Sequence, residues 1–155
     1  MFFEDYTVGE IIRFGRHEVT REEVLAFARA YDPQPFHLDD EAAAANPIFG
    51  RIAASGWHVA AMAMRMTVDH WQKLGPSGSL GGAGIEDLRW IRPVYPGDVL
   101  RVEVGPIETR PSASKPDRGI VRFSTTVFNQ HDEPVMRQTG TGFFRRRDAD
   151  PSNPS

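Results

Sequence analysis

The sequence lacks cysteine, which excludes disulfide bonds and thiolate metal ligands and is compatible with a reducing compartment. It also lacks a basic excess, because 18 Lys and Arg residues face 21 Asp and Glu residues for a net charge of −3. That balance argues against a nucleic-acid partner. No stretch reaches the roughly 20 apolar residues that a membrane helix needs, and residues 1–10 do not resemble a signal peptide. These absences predict a cytoplasmic protein with neither membrane nor nucleic-acid partners.

The composition is that of a globular protein. Of the 155 residues, 40% are hydrophobic and 25% are charged, which is typical of a chain that folds around one sizeable core. We find no internal repeat. The sequence therefore predicts one domain over residues 1–147, followed by a polar, proline-containing tail over 148–155 that is expected to be disordered.

Three helices are predicted in the first half of the chain. Thr20 and Glu23 form a capping box, so a helix is expected over residues 20–32, where Asp-Pro ends it. Acidic residues before an alanine run predict a short helix over 39–46. The longest candidate runs over 55–74 and is apolar on most sides, which predicts a central, buried helix.

The remaining segments read as strands. Branched and aromatic residues separated by Pro-Gly and Asp-Glu-Pro turns indicate an antiparallel sheet, and glycine-rich residues 75–84 are expected to be a flexible connection. One strand precedes the helices and four follow them, which gives an α+β protein with a five-stranded antiparallel sheet. The predicted strands are residues 10–19, 85–94, 99–107, 119–129 and 135–146.

The stretch from Asp32 to His37 is the strongest candidate for chemistry. It opens with a carboxylate and closes with an imidazole, two groups that move protons near neutral pH. Pro33 and Pro35 fix the backbone between them, so the predicted loop holds the two groups at a set separation. A structural reading is equally consistent with the spacing: the prolines stop one helix, and His37 caps the next.

This stretch also resembles the Asp-x-Asn-Pro-x-His signature of the MaoC-like dehydratases, the (R)-specific enoyl-CoA hydratases. Asp32, Pro35 and His37 match its fixed positions, whereas Gln34 replaces the usual Asn. The Pro-Val-x-Pro-Gly-Asp run of residues 93–98 is similar to that family too. The resemblance implies a hot-dog fold, in which the sheet wraps around the long helix, and a homodimer with paired sheets.

The resemblance implies a reaction and assigns roles. Asp32 and His37 are expected to be catalytic and to activate a water that adds to a trans-2-enoyl-CoA, giving the (R)-3-hydroxyacyl-CoA. Gly56, at the start of the long helix, is expected to hold the thioester oxygen through its N–H. Ser55 is more readily read as an N-cap than as a catalytic hydroxyl. Gln34 keeps the hydrogen-bonding groups of Asn on a longer arm.

An apolar acyl tunnel is expected beside the long helix. Trp57, Phe36 and Phe49 are candidates to line it, although core packing explains them equally well, and Trp57 is expected to narrow it. Three arginines are candidates to bind the CoA phosphates, and nothing in the sequence selects among them: Arg89, Arg92 and Arg110.

The hydration reaction that the resemblance implies requires neither a metal nor a redox cofactor. The other histidines, His17, His58, His70 and His131, lack the spacing of a ligand set and are expected at the surface or in packing contacts. Two other functions remain open: a hot-dog acyl-CoA thioesterase and a non-catalytic acyl-CoA-binding module.

Overall fold

A computed structural model describes residues 1–149, which form one antiparallel sheet with four α-helices inserted between its first and second strands. The elements are β1 (Ile12–Glu18), α1 (Arg21–Tyr31), α2 (Pro35–Leu38), α3 (Asp40–Ala45), α4 (Gly56–Lys73), β2 (Ser79–Trp90), β3 (Val99–Pro111), β4 (Arg118–Phe128) and β5 (Pro134–Arg145). Short 3₁₀ turns lie at Phe3–Asp5 and Arg147–Ala149. Residues 150–155, most of the predicted tail, lie outside the described part of the chain.

The sheet has the strand order β1-β3-β4-β5-β2, so the chain crosses from one edge to the other while it forms the helices. Antiparallel pairing aligns Val102 with Val127, Val127 with Met136, and Met136 with Trp90. Trp90, at the end of β2 in this row, lies against Gly56 at the start of α4. The predicted five-stranded antiparallel sheet is confirmed.

Helix α4 packs one face against the sheet. Val59, Met62 and Met66 from the helix meet Val102 and Val127 from the strands, and all five are buried. Full burial of such side chains is worth about 1.5–3 kcal/mol each, so this layer contributes to the stability of the fold.

The opposite face of α4 remains open in the single chain. Trp57, Met64 and Val68 are exposed, so the expectation of a helix buried on most sides is wrong for one chain alone. Periodicity shows which helix positions are apolar, but it does not show how many neighbours cover them.

Side-chain caps fix where the two longer helices begin. Thr20 accepts from the Glu23 amide at 3.2 Å, and the Glu23 carboxylate accepts from the Thr20 amide at 3.3 Å, which completes the predicted capping box of α1. The Ser55 hydroxyl accepts from the Trp57 amide at 3.3 Å and caps α4.

The structure corrects three predicted boundaries. Glycine-rich residues 79–84 belong to strand β2 and are not a flexible connection, because the backbone alone makes the hydrogen bonds to β5, where Gly82 faces Gly142. Strand β3 continues to Pro111, so the following loop is shorter than expected. The predicted loop over 32–37 contains the helical turn α2, with Pro35 at its first position.

No helix within residues 1–149 is long and apolar enough to cross a membrane.

Candidate active site

The end of helix α1 and the helical turn α2 bring Asp32 and His37 together. Asp32 is the C-cap of α1, where its amide still donates to the Ala28 carbonyl at 3.0 Å. Pro33 and Pro35 redirect the chain, and α2 then presents His37 back toward α1. Nε2 of His37 lies 3.4 Å from Oδ2 of Asp32. The sequence motif therefore becomes a close carboxylate–imidazole pair.

A buried hydrogen bond sets the orientation of the His37 ring. Its Nδ1 lies 2.8 Å from the carbonyl oxygen of Ala53, and only 4% of the residue is exposed. A carbonyl oxygen only accepts, so Nδ1 carries the hydrogen. In the neutral ring, Nε2 is then an acceptor facing the Asp32 carboxylate, which is another acceptor. A water molecule, which donates two hydrogens, complements this pair of acceptors.

The surroundings of Asp32 favour its charged form. The Gln34 side chain donates from Nε2 to Oδ1 of Asp32 at 2.7 Å. Burial alone would raise the pKa of Asp32, but the Ser55 hydroxyl, the Gln34 amide and the nearby His37 together hold that pKa below its usual range. Asp32 is therefore a carboxylate near neutral pH and is available to accept a proton.

Gly56 begins helix α4 beside the pair, as the sequence indicated, but the space that its missing side chain leaves is filled. A Cβ at this position would lie 2.3 Å from Cε2 and 2.5 Å from Nε1 of Trp90. Trp90 packs directly on the start of the helix and leaves no room for a Cβ at position 56, so this position requires glycine. The Gly56 N–H belongs to the first turn of α4, where amides lack intrahelical acceptors.

A pocket of about 410 Å³ joins these groups. Phe36 and Phe49 stack at 5.2 Å between ring centroids, and Phe49 also lies 5.5 Å from the His37 ring. Trp57 and Trp90 meet edge to face at 5.2 Å. The predicted tunnel residues thus line the same pocket as the Asp32–His37 pair, and Trp57 is 59% exposed at its mouth.

The three candidate phosphate-binding arginines are not equivalent in space. Arg92 lines the pocket, and Arg89 lies beside Trp90 with its side chain 74% exposed. Arg110 pairs with Ile120 near the far end of β3, at the opposite end of the sheet from the Trp90 row. Its position separates Arg110 from the pocket.

Sequence reasoning missed two residues at the site. Trp90 was assigned only to a strand, because its contact with Gly56 depends on the register of β2 against β5. Tyr95 was assigned only to a turn, yet its hydroxyl donates to the Phe49 carbonyl at 2.8 Å and its ring lies 4.0 Å from the Arg51 guanidinium. Tyr95 is the x of the Pro-Val-x-Pro-Gly-Asp run. A tyrosine at this position of the motif was the one sequence feature that could have indicated its role.

The remaining histidines lie apart from the pair. His58 is buried and stacks on Phe27 at 4.7 Å, whereas His70 stacks on Phe14 at 4.3 Å. His17 lies 2.8 Å from the Glu23 carboxylate. Within residues 1–149, no three His, Asp or Glu side chains are grouped closely enough to hold a metal ion.

Comparisons with known proteins now identify the family. The profile of the MaoC-like domain matches residues 5–128. The chain belongs to the MaoC-like family. Its architecture is the hot-dog fold, which confirms the expectation drawn from the Asp32–His37 motif.

Solved structures agree with this assignment. A MaoC-like dehydratase from Rhodospirillum rubrum is 43% identical, with a TM-score of 0.86 over 95% of this chain and 98% of that one. The R-hydratase PhaJ1 of Pseudomonas aeruginosa is 26% identical, with a TM-score of 0.70 over 94% of this chain and 86% of that one.

A curated relative is a hydratase as well. The mesaconyl-CoA hydratase of Cereibacter sphaeroides is 32% identical over 95% of this chain, which spans 42% of that longer protein. Together with the family match, the hydratase relatives support a hydro-lyase. This MaoC-like protein is therefore an enzyme of the hydratase and dehydratase class.

Proposed function

We propose that this enzyme adds water reversibly to a trans-2-enoyl-CoA and forms the (R)-3-hydroxyacyl-CoA. The observation that carries the proposal is the bond from His37 Nδ1 to Ala53, which turns Nε2 toward the Asp32 carboxylate at 3.4 Å. This arrangement suits a water molecule, and the apolar pocket around it suits an acyl group.

In the proposed reaction, the oxygen of a water held by Asp32 and His37 bonds to C3 of the substrate. The Asp32–His37 pair takes one proton from that water, and the pair returns one proton to C2, so the net change is the addition of one water. After the water oxygen bonds to C3 and before C2 is protonated, electrons from the double bond move onto the thioester oxygen. The Gly56 N–H, at the positive end of α4, stabilises the resulting enolate, and such a donor is typically worth about 2.7–4 kcal/mol.

The balance of this reaction involves no change of oxidation state, so we propose that no redox cofactor takes part. No metal is assigned a role either, since Asp32 and His37 handle the protons and Gly56 the developing charge. The CoA thioester is the substrate itself. Arg92 is the candidate arginine that lines the pocket, where its guanidinium donates to the Pro134 carbonyl at 3.0 Å.

An absorbance assay tests the proposal. The wild-type protein is incubated with crotonyl-CoA, and loss of the conjugated enoyl absorbance is followed while free thiol is measured in parallel. We expect absorbance to fall without thiol release, and chromatography to give the (R)-3-hydroxy product. Thiol release without hydration would support a thioesterase instead, and binding without either change would support a non-catalytic acyl-CoA-binding module.

We also propose that the protein is a homodimer. Strand β2 forms an edge of the sheet, and its residues are mostly exposed. Between it and the open face of α4 lies a groove of about 880 Å³, which Met64, Val68 and Ile85 help to line. An exposed edge strand beside an apolar groove is a surface that a second copy can cover.

A further inference from the structure

Trp90 occupies a position that no part of the catalytic motif explains. Its indole rests on Gly56, where an added Cβ would lie 2.3 Å from the ring. Trp57 braces it edge to face, with an interplanar angle of 78°. Both tryptophans line the pocket that contains Asp32 and His37.

The backbone that carries Trp90 is anchored in the sheet. Trp90 pairs with Met136, which is fully buried, and the next amide, that of Ile91, donates to the Val135 carbonyl at 2.8 Å. A side chain on a strand is held more firmly than one on a loop. Trp90 is therefore a fixed wall of the pocket, although 47% of the residue is exposed at the mouth.

We propose that Trp90 is a specificity-determining residue, which restricts this enzyme to enoyl thioesters that carry no substituent at C2. The inference rests on the function proposed above. If the thioester oxygen binds the Gly56 N–H, then C2 is bonded to the carbonyl carbon beside the surface that Trp90 covers.

The geometry of hydration makes C2 sensitive to that wall. The Asp32–His37 pair delivers its proton to one face of C2, which changes from planar to tetrahedral. In the proposed pose, the group already bonded to C2 bends away from the incoming proton, and we assign the wall that it then approaches to Trp90. We expect a hydrogen to fit in this position and a methyl group to meet the indole.

The contact between a C2 methyl group and the Trp90 indole becomes closer as the transition state forms. It therefore lowers the rate for branched substrates and not only their binding affinity. A single methyl or methylene group in an apolar pocket typically changes kcat/KM by about 10–200-fold. We therefore expect the wild-type enzyme to prefer crotonyl-CoA over 2-methylcrotonyl-CoA by a factor within this range.

The test compares kcat/KM for these two substrates in the wild-type enzyme, in Trp90→Leu and in Trp90→Phe. The leucine variant should raise the ratio of branched to unbranched activity by about tenfold or more. The phenylalanine variant keeps an aromatic wall of smaller size and should fall between leucine and the wild type. Trp71→Leu, which removes an indole near the other end of α4, is the matched control and should keep the wild-type ratio.

The results separate this inference from the proposed function. If the wild-type enzyme hydrates neither substrate, the proposed function fails. If it hydrates both equally well, or if the ratio stays constant in both Trp90 variants, only the role of Trp90 is overturned. Thermal melting of each variant identifies any loss of folding, and Trp90→Phe keeps the test decisive should Trp90→Leu fail to fold.

Discussion

Asp32 and His37 lie close together but differ in how they are embedded. His37 is 4% exposed and donates a hydrogen bond to the Ala53 carbonyl, whereas Asp32 lines the pocket. Replacing His37 therefore removes a buried hydrogen bond as well as a catalytic group. Asp32→Asn is the cleaner probe, because it keeps the size of the side chain while it removes the negative charge and the ability to take a proton.

We predict that Asp32→Asn lowers kcat for crotonyl-CoA hydration by about 10²–10⁴-fold, the usual contribution of a general acid–base group. His37→Ala should show a similar loss, and it should also melt at a lower temperature than Asp32→Asn because it leaves the Ala53 carbonyl unpaired. Steady-state kinetics and thermal melts of both variants check this.

The double variant of Asp32 and His37 should be little slower than either single variant, because both residues act on one water. If both single variants keep wild-type turnover and merely melt several degrees lower, the two residues are structural and the site assignment fails.

His58 gives a prediction about pH. Burial lowers its pKa; the charge of Glu23 opposes this effect, and His17 adds to it. The folded state thus favours the neutral ring, while the unfolded chain takes up a proton near its ordinary pKa of about 6.5. The stability from this residue is therefore present above that pH and is lost as the pH falls below it.

His58→Phe keeps the aromatic stack on Phe27 and removes the titrating group. We expect its melting temperature to fall less than that of the wild type between about pH 7.5 and pH 5.5, the range that spans the ordinary histidine pKa. His131→Phe, in an exposed turn, is the control and should follow the wild-type curve. Parallel curves for wild type and His58→Phe would contradict the prediction.

At the scale of elements, the segment between α3 and α4 supports the site from behind. It supplies the Ala53 carbonyl to His37 and places Phe49 against the same ring. The segment is itself held by Tyr95, whose hydroxyl reaches Phe49, and by the Ala54 amide, which donates to the Val94 carbonyl at 2.8 Å. The turn before β3 thus anchors the segment that orients His37.

We predict that Tyr95→Phe loosens this segment without unfolding the protein. The lost hydrogen bond is worth about 0.5–1.5 kcal/mol, so the Gly50 amide, which donates to the Asn46 carbonyl, should exchange its hydrogen faster. Turnover should fall by up to about tenfold, since 1.36 kcal/mol corresponds to a factor of ten in rate.

Tyr31→Phe is the control for this substitution, because Tyr31 is 77% exposed and should tolerate the loss of its hydroxyl. Hydrogen exchange followed by mass spectrometry reports on the segment, and kinetics report on the site. Unchanged exchange at residues 46–54 in Tyr95→Phe would show that the hydroxyl does not hold the segment.

For the whole molecule, the proposed dimer explains why the outer face of α4 is apolar but open. Ile85 is 55% exposed on β2 beside the groove. We predict that wild-type protein at micromolar concentration scatters light as twice its chain mass of 17.4 kDa. Ile85→Lys should shift it toward the monomer, because a charge would be buried at the contact.

Ile107→Lys introduces the same change on β3, at a residue that is 45% exposed and away from this groove. It should leave the mass of the particle unchanged. A wild-type protein that scatters only as a monomer would remove the proposed dimer, and equal effects of the two lysine variants would place the contact elsewhere.

The sequence by itself determined the order of the five strands and of the three predicted helices, and it singled out Asp32 and His37 as neighbours. Those features are local: a capping box starts α1, Asp-Pro ends it, and fixed proline dihedrals bring a carboxylate and an imidazole close within six residues. It also showed that residues 79–84 are rich in glycine, but local propensity does not reveal strand pairing, which depends on β5 across the chain.

Only the tertiary structure decided what surrounds the pair. Trp90 reaches Gly56 because β2 crosses to the far edge of the sheet and pairs with β5 in one register. Strand register likewise places Arg110 at the other end of that sheet, away from Arg92 and the pocket. Contacts between distant segments follow from register and packing, which are collective properties of the folded chain and have no signature in a short stretch of sequence.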